Sequence, residues 1–444
     1  MKLLFISLGC DKNLVDSEMM LGLLNQAGYT ITDNEQEAEV IIVNTCSFIQ
    51  DAKEESIQTL LEMGQLKENG VCKVLIAAGC LAQRYHQEIA EEIPEVDGIV
   101  GTASYDAVVS VVEAALRKER KEALEPIDRL PVIVPGRLLT TGGWYAYLKI
   151  AEGCDKHCTY CIIPKIRGKY RSIPMEDLLL QAEELAKQGV KELILVAQET
   201  TIYGQDLYGK KMLPVLLQKL AAVSGIVWIR ILYCYPEEIT DELIEVIRTE
   251  KKICHYLDIP IQHASDLVLQ QMGRKTNQKQ LIQMIEKLRQ RIPDIVLRTT
   301  LIAGFPGETQ QQHEEVMAFV DKMEFERLGV FAYSAEEDTA AAYLPNPVAE
   351  EVKERWRDEI MELQQEIAFE RAQDQVGRQL TVLIEGKLTE ENAYIGRSYM
   401  DAPNVDGYVF VTTDEELLSG DFVQVRITGA AEYDLIGEID HEFT

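Results

Sequence analysis

The sequence predicts an α/β protein with three parts: an N-terminal open parallel sheet domain, a central partial (βα)6 barrel and a small C-terminal antiparallel β-barrel. In the first two parts, short apolar runs alternate with longer amphipathic segments, which is typical of parallel sheets with helical crossovers. After about residue 373 the pattern changes to short alternating segments punctuated by glycines, which predicts the β-barrel. We place the domains at residues 1–120, 144–372 and 373–444, with a linker over 121–143.

Composition and charge restrict the class of protein and of partner. The chain has 444 residues, 46% of them hydrophobic, which suits a globular protein of two or three domains. Its net charge of −30 argues against nucleic-acid binding as the main mode and fits a basic protein partner. No apolar run is long enough to span a bilayer, and residues 1–13 contain no small-residue cleavage site. We therefore expect a cytoplasmic protein with no membrane partner.

Three cysteines of the N-terminal domain each follow a predicted strand. The predicted strands are 3–8, 39–44, 73–78 and 96–100, and the predicted helices are 15–27, 50–69, 83–92 and 104–120. Cys10, Cys46 and Cys80 come just after the first three strands. Loops at the carboxyl ends of parallel strands form the ligand crevice of an open sheet, so these cysteines are expected to converge. Buried structural cysteines are the alternative; we favour a metal cluster with three protein ligands and one open position.

The connection to the next domain is predicted to be extended. It contains Pro126, Pro131, Pro135 and the pair Gly142-Gly143. Proline and glycine at such spacing are typical of a linker.

The central domain is predicted to form six βα units. The expected strands are 146–151, 192–197, 227–231, 256–259, 295–301 and 327–332, and the expected helices are 175–188, 212–222, 239–249, 265–271, 277–291 and 309–322. A charged helix is expected over 348–372. The C-terminal strands are expected at 380–384, 394–398, 407–411, 422–427 and 435–439.

A tight cysteine cluster follows the first strand of the central domain. Cys154, Cys158 and Cys161 are spaced Cys-x₃-Cys-x₂-Cys, at the carboxyl-end face where barrel active sites lie. Iron–sulfur clusters are normally held by four thiolates, so three leave one iron open for a ligand. A zinc site with His157 as fourth ligand is an alternative, and a disulfide is disfavoured by the odd number. The remaining Cys72, Cys234 and Cys254 are predicted to be structural.

Two long motifs carry a resemblance to a known family. They are Ser7-Leu8-Gly9-Cys10-Asp11-Lys12-Asn13-Leu14-Val15-Asp16-Ser17-Glu18, in which Asp11 stands where proline is usual, and the run from Glu152-Gly153-Cys154 through Cys161-Ile162-Ile163-Pro164 to Arg171-Ser172. With both cysteine sets, the sequence resembles the methylthiotransferases over essentially the whole chain. These enzymes combine a methylthiotransferase domain, a radical S-adenosylmethionine (SAM) barrel and a TRAM domain. Within them the sequence is similar to the branch that modifies a ribosomal protein.

The resemblance implies cofactors, a reaction and further site residues. Two 4Fe-4S clusters are implied, one on Cys154, Cys158 and Cys161 that binds and cleaves SAM, and an auxiliary one on Cys10, Cys46 and Cys80. One SAM would supply a methyl group, and a second would give a radical that takes hydrogen from the β-carbon of an aspartate in small-subunit ribosomal protein S-twelve. The implied contacts to SAM are made by Tyr160, Gln198, Glu199, Arg298 and Gly304; a structural ion pair is the alternative for Arg298, and a solvated loop carboxylate for Glu199. Flavodoxin or ferredoxin is the expected electron donor.

The sequence leaves two alternatives to a methylthiotransferase of a ribosomal protein. The sister branch, which methylthiolates an adenosine of transfer RNA, has the same domains and cysteines. Residues 373–444 contain 15 Asp or Glu and 4 Lys or Arg, a net charge of −11, which favours a basic protein over RNA. A non-catalytic iron–sulfur carrier explains the cysteines but not the full barrel.

A local basic stretch follows the second cysteine group. It contains Lys165, Arg167, Lys169 and Arg171, and it is either a docking surface or counter-charge in an acidic protein.

Overall fold

The N-terminal domain is an open parallel sheet covered by helices, as predicted. In the computed structural model of the chain, the described residues are 1–130, 132–133, 135–388 and 392–440; Pro131 of the linker and residues 441–444 of the C-terminal domain lie outside them. The elements are β1 (Lys2–Ser7), α1 (Asp11–Gln26), β2 (Thr30–Ile31), β3 (Val40–Thr45), α2 (Gln50–Asn69), β4 (Val74–Ala78), α3 (Gly79–Arg84), α4 (His86–Glu92), β5 (Gly98–Val100), α5 (Val108–Leu116) and β6 (Lys121–Ala123). The strand order is β2-β1-β3-β4-β5-β6, and every neighbouring pair is parallel.

Three expectations for this domain need correction. The helix expected over 83–92 is two helices, and α3 begins at Gly79, so Cys80 lies within a helix. The helix expected over 104–120 begins at Val108 and ends at Leu116, because Lys118 has φ +61°, a left-handed conformation that ends a helix. The linker expected from residue 121 begins with β6, whose three residues pair with β5. The pairing partner, not local composition, decides that β6 is a strand.

The central domain is a six-stranded partial barrel, also as predicted. Its elements are β7 (Tyr145–Lys149), β8 (Ala151–Glu152), α6 (Ile163–Arg167), β9 (Arg171–Ser172), α7 (Met175–Lys187), β10 (Glu192–Val196), α8 (Gln205–Tyr208), α9 (Leu213–Ala221), β11 (Trp228–Ile231), α10 (Asp241–Thr249), β12 (Ile253–Asp258), α11 (Asp266–Gln271), α12 (Gln278–Arg291), β13 (Val296–Ala303), α13 (Gln310–Met323), β14 (Arg327–Ala332) and α14 (Glu350–Gln373). The main sheet runs β14-β13-β12-β11-β10-β7, all parallel, while β8 and β9 form a small antiparallel pair. Within the described part of the chain β7 and β14 do not pair, so the barrel is open along one side.

The C-terminal domain is a closed five-stranded barrel of β15 (Gln379–Lys387), β16 (Ala393–Ser398), β17 (Val409–Thr412), β18 (Phe422–Ala431) and β19 (Asp434–Ile439). The order is β15-β16-β17-β19-β18, and β15 pairs with β18 to close it. The expectation of a purely antiparallel barrel is wrong at one pair, because β17 and β19 are parallel. The connection that passes from β17 to β18 before β19 makes that pairing parallel.

A buried ion cluster joins the C-terminal barrel to the central sheet. Glu192, on β10, accepts hydrogen bonds from Arg230 at 2.8 Å and from Arg397 at 2.7 Å, and all three side chains are fully buried. Beside them Trp228 and Phe422 pack edge to face across the same interface. Within the described residues, no helix is long and apolar enough to cross a membrane.

We expect Glu192→Gln to destabilise the protein by about 3–5 kcal/mol, because it removes the carboxylate paired with the buried Arg230 and leaves Arg397 with Glu385 alone. Urea unfolding measures the change. The control is Glu245→Gln, which removes an exposed partner of Arg248 and should have little effect. Equal stabilities of the two variants would show that the Glu192 carboxylate does not stabilise the contact between the C-terminal barrel and the central sheet.

Candidate active site

The three N-terminal cysteines lie together at the carboxyl edge of the first sheet. Cys10 immediately precedes α1, Cys46 follows β3, and Cys80 lies in the first turn of α3. Burial raises the pKa of the thiols of Cys46 and Cys80, the latter to about 12. Neighbouring thiols contribute to both shifts, Cys10 for Cys46, and Cys46 with Cys10 for Cys80. The structure therefore brings together the three cysteines that the sequence pattern predicted to converge.

Two glycines permit this close packing. Gly79 has φ +90°, and a Cβ there would lie 2.2 Å from Asn44 Oδ1. Gly9 has φ +88°, and a Cβ there would lie 2.9 Å from Cys46 Sγ. The glycines thus allow neighbouring loops to meet, and any other residue at either position would displace the cysteine loops.

The second cysteine group lies in the loop between β8 and α6. Cys154 and Cys158 are buried, and Cys161 is half-buried. The loop is held by backbone hydrogen bonds: Cys154 N donates to Gly168 O at 3.1 Å, and Cys161 N donates to Cys158 O at 3.1 Å. Gly153 has φ +78°, and a Cβ there would lie 2.1 Å from Lys169 O. These contacts hold the cysteine loop against residues 168 and 169.

Two groups that the sequence analysis missed face Cys158. The Tyr235 hydroxyl lies 3.5 Å from its Sγ, and the Arg274 guanidinium lies 4.0 Å away. Tyr160, next to Cys161, shares this surrounding, and its phenol pKa is raised by burial and, in smaller part, by the Cys158 thiol. Tyr235 lies just past the third barrel strand, and that position was the available signal, whereas Arg274 lies between α11 and α12 and has no such signal.

Glu199 is a buried carboxylate beside this loop. Its Oε1 accepts from Thr201 Oγ1 at 2.7 Å, while its Oε2 lies 3.6 Å from Lys156 Nζ and has no hydrogen-bond partner. Burial raises the pKa of Glu199 to about 7, although Lys156 opposes the shift. The neighbouring Gln198 donates to Glu152 Oε1 at 2.7 Å. The alternative of a solvated loop carboxylate is therefore wrong for Glu199.

Arg298 and Gly304 have protein partners in the structure. Arg298 pairs with Asp258 at 2.9 Å and with Asp406 of the C-terminal barrel at 3.4 Å, which favours the ion-pair alternative. Gly304 has φ +76°, and a Cβ there would lie 2.3 Å from Lys353 Cγ on α14. Helix α14 therefore requires glycine at this position.

The basic stretch after the cysteine loop is not a docking surface as a whole. Arg167 and Arg171 are buried, whereas Lys165 and Lys169 are exposed. Arg167 Nη2 lies 3.3 Å from Cys80 Sγ, and Cys80 packs against Ile162, the residue after Cys161. The two cysteine groups are thus neighbours, one contributed by each domain.

The donor set fits iron–sulfur clusters. Among the described residues, no three His, Cys, Asp or Glu side chains surround one point as ligands of a single metal ion do. A cubane does not need that arrangement, because each thiolate binds a different iron. His157, which a zinc site in the loop requires, is exposed. The zinc alternative therefore has no support from the geometry.

Three family models match the chain in the order of its domains. Residues 2–101 match the family described as uncharacterized protein family UPF0004, residues 148–320 match the radical SAM superfamily, and residues 376–439 match the TRAM domain. A protein of Lachnoclostridium phytofermentans named ribosomal protein uS12 methylthiotransferase RimO is 63% identical over 98% of this chain and 99% of its own length. This chain belongs to the RimO family. Relatives with the same name from Pelotomaculum thermopropionicum and Clostridioides difficile are 52% and 48% identical, again over nearly the full length of each chain.

Solved structures support the fold of this RimO-family chain. The radical SAM methyltransferase TsrM from Kitasatospora setae covers 77% of each chain with a TM-score of 0.55 at 12% identity. The radical SAM enzyme OxsB covers 82% of this chain and 56% of its own, with a TM-score of 0.53. Membership of the RimO family and the radical SAM superfamily makes the protein a methylthiotransferase whose cofactors are 4Fe-4S clusters and SAM.

We expect Glu199→Gln to change how stability depends on pH. A carboxyl whose pKa is raised to about 7 from 4.5 binds more protons in the folded than in the unfolded state, so wild-type stability falls as pH rises through that window. The variant lacks this loss and should gain about 3 kcal/mol relative to wild type between pH 4.5 and 8. Urea unfolding at both pH values, without added SAM, measures it.

The control for this experiment is Glu183→Gln, which removes an exposed glutamate of α7. Its stability difference from wild type should be the same at both pH values. A Glu199→Gln difference that is equally independent of pH would contradict the raised pKa of Glu199.

Proposed function

We propose that this protein installs a methylthio group on the β-carbon of an aspartate in ribosomal protein uS12. The relatives named above are uS12 methylthiotransferases by name. The observation that carries the proposal is the pair of three-thiol groups held next to each other, with Cys80 packed against the residue after Cys161. A β C–H of aspartate has no usable acidity, so its activation requires cofactor chemistry that the protein positions.

We further propose that Cys154, Cys158 and Cys161 hold the cluster that binds SAM. Cys10, Cys46 and Cys80 hold the auxiliary cluster in this proposal. When bound, the two clusters and SAM would together supply the electron, the radical, the methyl group and the sulfur. The chain's own residues shield both sites from water, since five of the six cysteines are buried or half-buried, Cys10 being the exposed one.

The side chains around the second group have distinct roles in this proposal. Glu199 Oε2, buried and without a hydrogen-bond partner, accepts a hydrogen bond from the ammonium group of SAM. Tyr235 and Arg274 face the Cys158 sulfur and donate toward it when it binds the cluster. Tyr160, Gln198 and Gly304 stay in the proposed SAM site by family resemblance. Arg298 leaves that set because two carboxylates already hold it.

The choice of protein over transfer RNA rests on the C-terminal barrel. Only 4 basic residues stand against 15 acidic ones in residues 373–444. Of the four, Arg397 is fully buried against Glu192, so it is not accessible to a phosphate. An RNA-binding surface requires accessible cations. The barrel therefore suits a basic ribosomal protein, and a transfer RNA substrate is the second candidate because the domain set is shared.

The remaining proposals concern partners and organisation. A flavodoxin- or ferredoxin-type protein supplies electrons, and the reaction takes place in the cytoplasm where ribosomes are modified. The proposed domain division is 1–120, 121–143, 144–372 and 373–444, except that β6 extends the N-terminal sheet to Ala123. Each segment matched by a family model falls within one of these domains.

We expect each triple Cys→Ala variant, at Cys10, Cys46 and Cys80 or at Cys154, Cys158 and Cys161, to lose about half of the iron, because each removes the thiolate ligands of one cluster. Anaerobic reconstitution followed by iron analysis measures this. Cys72→Ala, which removes a buried thiol that donates to Val74 O, is the control and should keep all the iron. A triple variant that keeps the full iron content would contradict the assignment of its three cysteines as cluster ligands.

The substrate is tested in cells that lack the gene. We expect intact uS12 to lose the mass of one methylthio group while the nucleosides of transfer RNA are unchanged, because the barrel surface is acidic. Mass spectrometry of ribosomal proteins and of digested transfer RNA gives both readouts. Restoring the gene is the control, and loss of a methylthio nucleoside with uS12 unaltered would reverse the substrate assignment.

A further inference from the structure

Arg167 is the side chain through which the central domain contacts the N-terminal thiols. It is the last residue of α6, six positions after Cys161, and only 2% of it is exposed. Its Nη2 donates to Asn13 Oδ1 at 2.7 Å and lies 3.3 Å from Cys80 Sγ. A guanidinium that donates to a thiolate sulfur forms a charge-assisted hydrogen bond.

The other side of the guanidinium is fixed by carboxylates from both domains. Arg167 Nη1 donates to Asp16 Oδ2 at 2.7 Å and to Glu152 Oε2 at 3.2 Å. Lys149 pairs with the same two carboxylates. These four side chains balance two positive charges against two negative ones, and Asn13 and Asp16 are contributed by α1 of the N-terminal domain. The guanidinium is therefore locked in place toward Cys80.

The network also leads to the proposed SAM site. Glu152 Oε1 accepts from Gln198 Nε2 at 2.7 Å, and Gln198 precedes Glu199. Hydrogen bonds therefore connect Cys80, Arg167, Glu152 and Gln198 across the domain boundary. The reduction potential of an iron–sulfur cluster depends on nearby charge and on hydrogen bonds to its sulfur ligands. Arg167 supplies both at one thiolate.

We propose that Arg167 is a positioning residue that holds the Cys80 thiolate and raises the reduction potential of the cluster on Cys10, Cys46 and Cys80. The proposal rests on the ligand assignment made under the proposed function. A positive charge next to a thiolate stabilises the electron-rich, reduced form of a cluster, so its removal makes the cluster harder to reduce. Because Arg167 belongs to the barrel, the auxiliary cluster reaches its working potential only when the two domains are docked.

The test uses the full-length chain with Cys154, Cys158 and Cys161 changed to Ala, so that only the N-terminal cluster forms. In this background, Arg167→Gln removes the charge and Arg167→Lys keeps it. The matched control is Arg171→Gln: Arg171 is also a buried arginine of the same segment, but it donates to Lys169 O and Arg167 O. Iron content is measured first, followed by a redox titration monitored by electron paramagnetic resonance.

We expect the reduced-to-oxidised ratio of the R167Q cluster, at the midpoint potential of the unsubstituted background, to fall about tenfold, a shift of about 59 mV for a one-electron couple. R167K should lie close to the background, and so should R171Q. Loss of the cluster in R167Q alone, with R167K and R171Q intact, also supports the proposal, since it shows that the thiolate needs the charge.

Three results overturn the proposal. One is an R167Q cluster with the same potential as the R171Q cluster. The second is loss of the cluster in both R167Q and R171Q, which assigns the effect to the domain interface. The third is a background protein that binds no cluster, which overturns the ligand assignment and this inference together, and which the iron analysis distinguishes from the first two.

Discussion

The two sites of this protein depend on a buried ion network between its first two domains. Asp16 on α1 and Glu152 beside the cysteine loop share two cations, Lys149 and Arg167, and all four side chains are almost completely buried. Buried charges are tolerated only when each finds its partner, so this network forms only in one relative placement of the domains. That placement brings Cys80 against the loop of the second cysteine group. The ion pairs between the domains therefore help to hold the two sites side by side.

Burial makes both cysteine groups costly to ionise, and the surroundings offset that cost. Thiol pKa values rise on burial at Cys46, Cys80, Cys154 and Cys161. Opposing contributions come from guanidinium groups, Arg167 near Cys80 and Arg274 near Cys161, and from backbone amides such as Lys156 N, 3.4 Å from Cys154 Sγ. Metal binding to a buried thiol displaces its proton, so the affinity of both groups for a cluster depends on pH.

Most buried arginines of the molecule are paired with carboxylates, whereas the chain as a whole is strongly acidic. The chain has a net charge of −30, yet many of its arginines are buried as partners of carboxylates. Some of these arginines join domains. Arg230 and Arg397 lie at the C-terminal barrel, and Arg167 lies at the N-terminal sheet domain. The chain has 74 Asp and Glu against 44 Lys and Arg, so acidic side chains outnumber basic ones. A basic protein surface is the natural complement of such a molecule.

The sequence by itself determined the three-part architecture and which cysteines come together. Strand–helix alternation predicted that both sheets are parallel, because successive parallel strands need crossovers and their loops meet at one edge. The order of the strands, with β1 between β2 and β3, was decided by the tertiary structure. The position of Cys10, Cys46 and Cys80 after three strands was sufficient to predict that they converge. Local pattern failed where a partner decides the outcome: β6 is a strand only because β5 pairs with it, and β17 and β19 are parallel only because of the path between them. Tertiary structure alone assigned Arg167 to Cys80, Arg298 to Asp258 and Asp406, and Tyr235 and Arg274 to Cys158, because contacts between side chains distant in sequence leave no periodic signal in the chain.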